Sequence, residues 1–193
     1  AVAYQTTRLS EGAAPKTIND EVVLLLRILE ERGDGIRLTM KRRKTLRLAV
    51  TERTARAWTE QEKTALLIAA TKRRSPCIVP ALTLALNCGL RDSEIRCLQW
   101  GRVDLQKRLL VVGESKTEAG RGRTIPLNDA ALSALVEHAK WFAKKFDETR
   151  PEWYVFPGGK AQPTDPTTPV STFKTVWNKV RKEAGVKGRW HDN

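Results

Sequence analysis

The chain contains few of the residues on which disulfide frameworks and metal centres depend. Its 193 residues include three cysteines and two histidines, and Cys77, Cys88 and Cys97 lack the paired Cys/His spacing of a zinc site. An odd number of thiols without a signal-peptide pattern is typical of a reducing cytoplasm. No apolar run reaches the length that spans a bilayer, so we expect a soluble, cytoplasmic protein without a membrane partner.

Acidic residues are also too few to balance the basic ones. Lysine and arginine number 35 against 22 aspartates and glutamates, which gives a net charge of +13 and a pI near 10.1. An excess of this size favours a polyanionic partner, most often nucleic acid. The hydrophobic share of 40% argues against a disordered basic tail. The length suits one well-sized domain, or one domain with fragments of another.

The beginning of the chain predicts one helix. Residues up to about Lys16 are small and polar and predict a loose segment. We expect a helix from Thr17 to Arg32, with Thr17 as its N-cap and Gly33 as its end. Its apolar residues cover most of the circumference, which a lone helix cannot bury. The pattern therefore predicts packing against an element outside this chain or against another protomer.

A cationic run without acidic residues extends from Arg37 to Arg47. The plain interpretation is a solvated linker between domains. Given the overall charge, we favour a linker that also contacts the DNA backbone. The candidate DNA-binding residues in this run are Arg42, Arg43 and Lys44.

A second, mostly helical domain is predicted from about Trp58 onward. Thr59 to Glu62 has the sequence of a capping box. A nearly all-apolar stretch from Ile78 to Cys88, ended by Gly89, predicts the central buried helix. Further helices are expected from Asn128, as N-cap, to Phe146 and from Val170 to Ala184, with a Pro/Thr/Gly loop running to Pro169.

A β-hairpin is predicted between the central helix and Asn128. Arg108 to Val112 predicts one strand, and Thr124 to Leu127 predicts its partner across a connection rich in glycine, lysine and arginine. Pro126 cannot donate a ladder hydrogen bond and so limits the second strand to an edge or an end.

The most informative stretch places one arginine at a joint between two helices. Arg91 follows Gly89-Leu90 and precedes Asp92-Ser93, residues suited to capping the next helix. Free backbone N–H groups at such a joint attract phosphate. An arginine fork added to the joint predicts a phosphate clamp.

Three segments together resemble the catalytic domain of the tyrosine recombinases, the phage-integrase family. Residues 89–100 match that family's Gly-Leu-Arg-x-Ser-Glu-Ile-x-x-Leu-x-Trp box. Residues 114–127 resemble its lysine-bearing hairpin with an Arg-x-Ile-Pro-Leu ending, and residues 189–193 resemble the opening of its His-x-x-Arg box. The resemblance implies an α+β, mostly α-helical fold: the recombinase (DNA breaking-rejoining) catalytic core with a small antiparallel β-sheet. It also implies a remnant of the core-binding helical domain over 1–36, a basic linker over 37–57, and the N-terminal portion of the catalytic domain over 58–193.

The resemblance assigns roles in DNA cleavage and rejoining through a 3′-phosphotyrosyl intermediate. Arg91 would bind two non-bridging oxygens of the scissile phosphate, Lys116 would protonate the leaving 5′ oxygen, and His191 would donate a hydrogen bond or shuttle a proton. Glu94 would be a buried structural acid. Further DNA contacts are expected from Arg121 and Arg123. No metal, nucleotide or other cofactor is implied, which agrees with the missing metal-ligand spacing and phosphate loop.

Plainer interpretations remain open for these residues. Arg91 could pair with Glu94 or Asp92 on the surface, Lys116 could be an ordinary charge at the tip of a hairpin, and His191 could be only a terminal residue. His138 lies among apolar residues of a helix, and we expect it to be structural.

The chain departs from the family pattern at its end. The family's second arginine would fall one residue beyond Asn193, and its nucleophilic tyrosine is missing, since the two tyrosines are Tyr4 and Tyr154. Tyr4 precedes both domains and Tyr154 lies in an apolar segment. We therefore expect a fragment that binds DNA but cannot cleave it alone.

Three hypotheses follow from the sequence. The leading one is part of a bacterial or phage recombinase that binds double-stranded DNA, forms a homo-oligomer on it when intact, and uses no small-molecule substrate. The second is a non-catalytic, recombinase-derived DNA-binding regulator. The third is a helical interaction module, motivated by the wide apolar surface predicted over Thr17 to Arg32.

Overall fold

The computed structural model describes residues 2–51, 57–113, 118–159, 162–188 and 190. These residues form two compact units, 1–54 and 55–193. The helices are α1 (Val2–Ser10), α2 (Pro15–Ile28), α3 (Glu30–Arg42), α4 (Glu60–Thr71), α5 (Ile78–Cys88), α6 (Asp92–Arg96), α7 (Asp129–Phe146) and α8 (Lys174–Ala184). The strands are β1 (Val103–Asp104), β2 (Leu109–Val111), β3 (Thr124–Pro126), β4 (Pro157–Gly158) and β5 (Asp165–Pro169).

The first unit is a three-helix assembly around a small core. Ile18, Val22, Leu26 and Met40 are buried at its centre. The prediction of a loose segment before Lys16 was wrong, because its first part is helix α1. An ion pair from Arg8 to Glu21, at 2.9 Å, joins α1 to α2. Local sequence gives no strong helix signal there, and the contacts with α2 supply the missing stabilisation.

The end predicted for the first helix was also wrong. The chain breaks at Leu29, and Gly33 lies inside α3. A Cβ at Gly33 would collide with the backbone carbonyl of Leu26, so this glycine permits close helix packing and does not end a helix. The wide apolar surface of α2 remains partly open in the first unit, with Leu24 and Ile28 exposed.

The basic segment predicted to be a linker begins in regular structure. Its residues 37–42 belong to α3. Leu46 and Leu48 pack against the core of the first unit, and both the N–H and the carbonyl of Leu48 bond to the side chain of Asn19, at 2.8 and 3.0 Å. This half of the segment is therefore attached to the first unit.

The second unit is built around α5, which is buried along most of its length. It packs against α4 and α7, and α4 also packs against α8. The predicted helix boundaries hold at Thr59, whose capping box with Glu62 is formed, at Asn128, which accepts from the N–H of Ala131, and at Gly89. Each of these signals acts through bonds or backbone angles within a few residues, which explains why sequence reveals them.

Two small antiparallel sheets complete the second unit. The order β1-β2-β3 confirms the predicted hairpin, with Leu110 opposite Ile125 and β3 at the edge. β1 was not predicted. The loop expected up to Pro169 was partly wrong, because β5 pairs with β4 in a two-stranded ribbon. The proline-rich sequence of β5 gives no strand signal. A strand can still form there because a ribbon of two strands leaves both outer edges unpaired, and proline is tolerated at such an edge.

Candidate functional site

The joint that carries Arg91 is set by a glycine in the left-handed region. Gly89 has φ +61° and ψ 28° and ends α5, a conformation that costs a side-chain-bearing residue about 1 kcal/mol or more. Leu90 is then buried, and Arg91 adopts an extended backbone directly before α6. The chain thus turns sharply and leaves Arg91 at its outer side, with 46% of the side chain exposed.

The cap of α6 differs from the prediction. Glu94 caps it, because its Oε2 accepts a 2.9 Å bond from the backbone N–H of Arg91. Asp92 pairs instead with Arg96, across 2.8 Å between Nε and Oδ2. The predicted capping by Asp92 and Ser93 was therefore wrong, since Glu94, three residues after Arg91, reaches back to the N–H of Arg91.

Glu94 is the buried centre of the site. Its side chain has no exposed surface. Oε1 accepts from Nη1 of Arg91 at 3.0 Å, and Arg123 donates through Nη1 to Oε1 at 3.0 Å and through Nη2 to Oε2 at 2.8 Å. A buried carboxylate requires such partners, because an unpaired one costs several kcal/mol. The predicted burial of Glu94 is confirmed, while its role in supporting the site stays a prediction.

The side chain of Arg91 is paired with Glu94 through one of its nitrogens. The contact with Glu94 uses Nη1 and the backbone N–H, so the ion pair considered among the plainer interpretations does exist. Within the described ranges, Nε and Nη2 have no acceptor. An arginine held on one side by a buried acid, with its other edge facing solvent, can offer two parallel N–H groups to an anion.

Lys116 and His191 lie outside the described residues. Of the residues directly next to them in sequence, Trp190 is described. Trp190 is buried and stacks on Phe173, with ring centroids 5.6 Å apart and planes 5° from parallel. Asp92 and Trp190 line the same cavity of about 380 Å³. The residue after Arg91 and the residue before His191 therefore border one space.

The predicted DNA contacts are surface cations on two units. Arg42, Arg43 and Lys44 are exposed in the first unit, and Arg121 is exposed in the second. Arg123 differs from them, because only 31% of its side chain is exposed and both Nη atoms bond to Glu94. Their binding of DNA stays a prediction.

Sequence reasoning missed a basic cleft of about 940 Å³ beside α8. Its basic lining residues are Lys72, Arg73, Arg74 and Lys179. Glu183 pairs with Lys72 at 3.1 Å and with Arg73, which offsets part of this charge. The run of three cations after α4 is the signal that could have revealed it.

His138 is a packing residue with a satisfied ring. Its Nε2 lies 2.7 Å from the carbonyl oxygen of Val155, and its ring stacks on Trp141 and Phe156 at 5.1 and 5.3 Å. Burial lowers the pKa of His138 to about 4, so the imidazole is neutral near pH 7.

Metal sites and membrane-spanning helices are both absent from the described part of the chain. No group of three or more His, Cys, Asp or Glu side chains there could hold a metal ion. None of the helices there combines the length and the apolar content that a membrane crossing needs.

Comparison with known proteins gives consistent matches. The model of the phage integrase family matches residues 57–193, well over half of the chain. The integrase of Salmonella phage P22 is 29% identical over 114 residues, which are 56% of this chain and 28% of that integrase. The chain thus matches less than a third of the length of this curated relative.

Solved structures share the fold. The XerA recombinase superposes with a TM-score of 0.54 at 16% identity, over 97% of this chain and 61% of that chain. The Tn1549 transposon integrase, in complex with circular intermediate DNA, gives 0.68 at 16% identity, over 100% of this chain and 68% of that chain. These likenesses confirm the predicted recombinase fold, mostly helical with small antiparallel sheets. Together with the match over residues 57–193, they lead to one conclusion: the chain belongs to the phage integrase family.

Proposed function

We propose that this chain binds double-stranded DNA as part of a site-specific tyrosine recombinase, with Arg91 on the phosphate that is cut. One observation carries the proposal: the guanidinium of Arg91 is half exposed and is held through Nη1 by the buried Glu94. Its outer edge is thereby fixed in direction before any ligand arrives. Such preorganisation is what an electrostatic contribution to catalysis requires.

The proposed reaction exchanges one phosphodiester for another without a cofactor. A tyrosine oxygen attacks phosphorus, the bond to the 5′ oxygen breaks, and a 3′-phosphotyrosyl link forms. Extra negative charge develops on the non-bridging oxygens, where Arg91 would donate two hydrogen bonds. We assign the proton for the leaving oxygen to Lys116. His191 would donate a hydrogen bond to the phosphate or shuttle the proton that the attacking tyrosine loses.

Neither tyrosine of this chain suits the role of nucleophile. Tyr4 donates to Glu21 at 2.9 Å, and that hydrogen bond raises the pKa of its phenol, which opposes formation of the phenolate. Tyr154 is half-buried and its backbone bonds to Pro166 and bridges to Gln99. We therefore expect this chain alone to bind DNA without cutting it.

The proposed partner is the DNA backbone, and the intact protein is expected to form a homo-oligomer on it. The net charge of +13 and the exposed cations Arg42, Arg43, Lys44 and Arg121 support contacts with several phosphates. The Tn1549 transposon integrase, which shares the fold, was solved with DNA.

An Arg91→Ala change in the natural gene product that contains this chain tests the proposal. We expect strand cleavage to fall at least 10²–10³-fold, because a preorganised donor to the transition state is lost, while DNA affinity falls by less than about tenfold. The measurement is covalent protein–DNA product in a gel, beside a DNA-binding titration. Arg96→Ala is the matched control on α6, since Arg96 pairs with Asp92, and it should retain cleavage.

A second function, a non-catalytic DNA-binding regulator, is favoured by the hydrogen bond that ties the Tyr4 phenol to Glu21 and by the half-buried position of Tyr154. It predicts a wild-type gene product that binds DNA and never forms the covalent product. Cleavage that survives Arg91→Ala would contradict the role proposed for Arg91, because the reaction would not depend on this guanidinium.

A further inference from the structure

Arg123 is built into the protein differently from the other cations of the hairpin. It directly precedes β3, and its carbonyl accepts a 2.9 Å bond from the N–H of Val112. Its side chain reaches across to α6, where both Nη atoms bond to Glu94 at 3.0 and 2.8 Å, and Nη1 also lies 3.3 Å from the carbonyl of Gly120. Arg123 thus joins the base of the hairpin to the Arg91 joint.

The two arginines divide the carboxylate of Glu94 unequally. Arg123 contacts both oxygens in the parallel, two-bond geometry, whereas the Arg91 side chain contacts Oε1 alone, at 3.0 Å. A guanidinium forms its most favourable carboxylate contact with two nitrogens. Arg123 occupies that position, which leaves Arg91 with one bond and an outward edge.

We propose that Arg123 is a positioning residue: by saturating Glu94, it keeps the guanidinium of Arg91 directed at the DNA phosphate. This inference rests on the proposed function. Without Arg123, the buried acid would draw Arg91 into the two-bond geometry, because an under-satisfied buried carboxylate is costly. The Arg91–Glu94 pair would then be neutral and turned inward, and the contact with phosphate would be lost.

The bonds from Arg123 to Glu94 also attach the hairpin to the Arg91 joint. The segment between β2 and β3 contains Lys116 in sequence, and Arg123 lies at its return end. Because Arg123 fixes that end to Glu94, the joint and the hairpin share one buried anchor. A lysine at position 123 could not replace it, since an ammonium lacks the planar fork that binds both oxygens.

The alternative is that Arg123 itself contacts phosphate, as its place among the basic residues of the hairpin suggests. The two possibilities differ in their response to Arg123→Lys. A direct phosphate contact tolerates lysine, because the positive charge remains. Positioning does not tolerate it, because the two-bond contact with Glu94 is lost while the net charge of the protein is unchanged.

The experiment measures the Kd of this chain for a mixed-sequence duplex between 50 and 200 mM salt. Each phosphate contact contributes about 0.9 to the log–log slope. We expect Arg123→Lys and Arg91→Ala each to lower the slope by about that amount, so that Kd changes about threefold less over this range than for wild type. The double variant Arg91→Ala/Arg123→Gln should match Arg91→Ala, because Arg123 acts only through Arg91. The glutamine can still donate to Glu94, which protects the fold.

Arg121→Ala is the comparison on the same hairpin. Because Arg121 is proposed to contact phosphate directly, its removal should lower the slope both in the wild-type chain and in the Arg91→Ala variant. An unchanged slope for Arg123→Lys would overturn the inference and leave the proposed function standing. This holds even if the melting temperature falls, because a lower melting temperature with an unchanged slope means that the bond from Arg123 to Glu94 is purely structural. A further drop of about 0.9 in the double variant would also overturn it. A flat response of the wild-type chain would overturn the proposed function and the inference together.

Discussion

Two buried polar side chains of the second unit have their polar atoms paired. Glu94 accepts hydrogen bonds from two arginines and from a backbone N–H. His138 stays neutral because burial lowers its pKa and a carbonyl satisfies one ring nitrogen. The family resemblance predicted a buried Glu94 and the helix pattern a structural His138, yet the sequence did not identify Arg123 as a partner of Glu94. The two lie 29 positions apart, and a hairpin pattern does not show which basic residue turns inward.

The depressed pKa of His138 predicts a loss of stability in mild acid. The folded pKa is about 4 and the unfolded pKa is about 6.5, so the unfolded chain binds more protons between these values. Stability is therefore complete above pH 6.5 and falls as the pH drops toward 4, by about 3 kcal/mol in total. His138→Gln should flatten this dependence, because Gln can still donate to Val155 and does not titrate.

The measurement is urea unfolding followed by tryptophan fluorescence at several pH values from 7.5 to 4. All six tryptophans belong to the second unit, so the signal reports on the unit that contains His138. The substitution itself will cost stability at every pH, and the comparison is between pH slopes. Equal slopes for the variant and wild type would show that another group causes the acid sensitivity.

At the scale of helices and strands, several local signals predicted the structure correctly, whereas contacts between elements distant in sequence were not predicted. The caps at Thr59 and Asn128 and the glycine after α5 were predicted, because each acts within one turn. Helix α1 and strand β5 were missed, because their own residues give weak signals and contacts with α2 and β4 stabilise them. Gly33 was misinterpreted for the same reason: a glycine that ends a helix and a glycine that lets two helices approach look alike in sequence.

Two glycines of α3 provide a matched test of that explanation. Gly33→Ala should destabilise the first unit by about 1–3 kcal/mol, because the new methyl group meets the backbone of Leu26. Gly35 has open space around its Cβ position, so Gly35→Ala should stabilise the helix by about 0.5–1 kcal/mol. Thermal unfolding followed by circular dichroism at 222 nm compares them. A stabilising Gly33→Ala would show that helix propensity, and not packing against Leu26, governs this position.

At the scale of the whole molecule, the charge and the fold support the same proposed function. The family match supplies the fold over residues 57–193, and the excess of 13 positive charges favours binding to a polyanion. Both units carry candidate DNA contacts, at Arg42, Arg43 and Lys44 in the first and around Arg91 in the second. Composition alone predicts the proposed partner, because net charge is a property of the sequence and does not depend on the fold.

The most direct measurement of the central claim is the salt dependence of DNA binding by the wild-type chain. Contact with roughly five phosphates predicts that log Kd rises with log salt concentration at a slope of about 4 to 5, with little dependence on DNA sequence. Fluorescence anisotropy with two unrelated duplexes measures both properties. A slope near zero would mean that the basic surfaces do not contact the DNA backbone, and it would contradict the account.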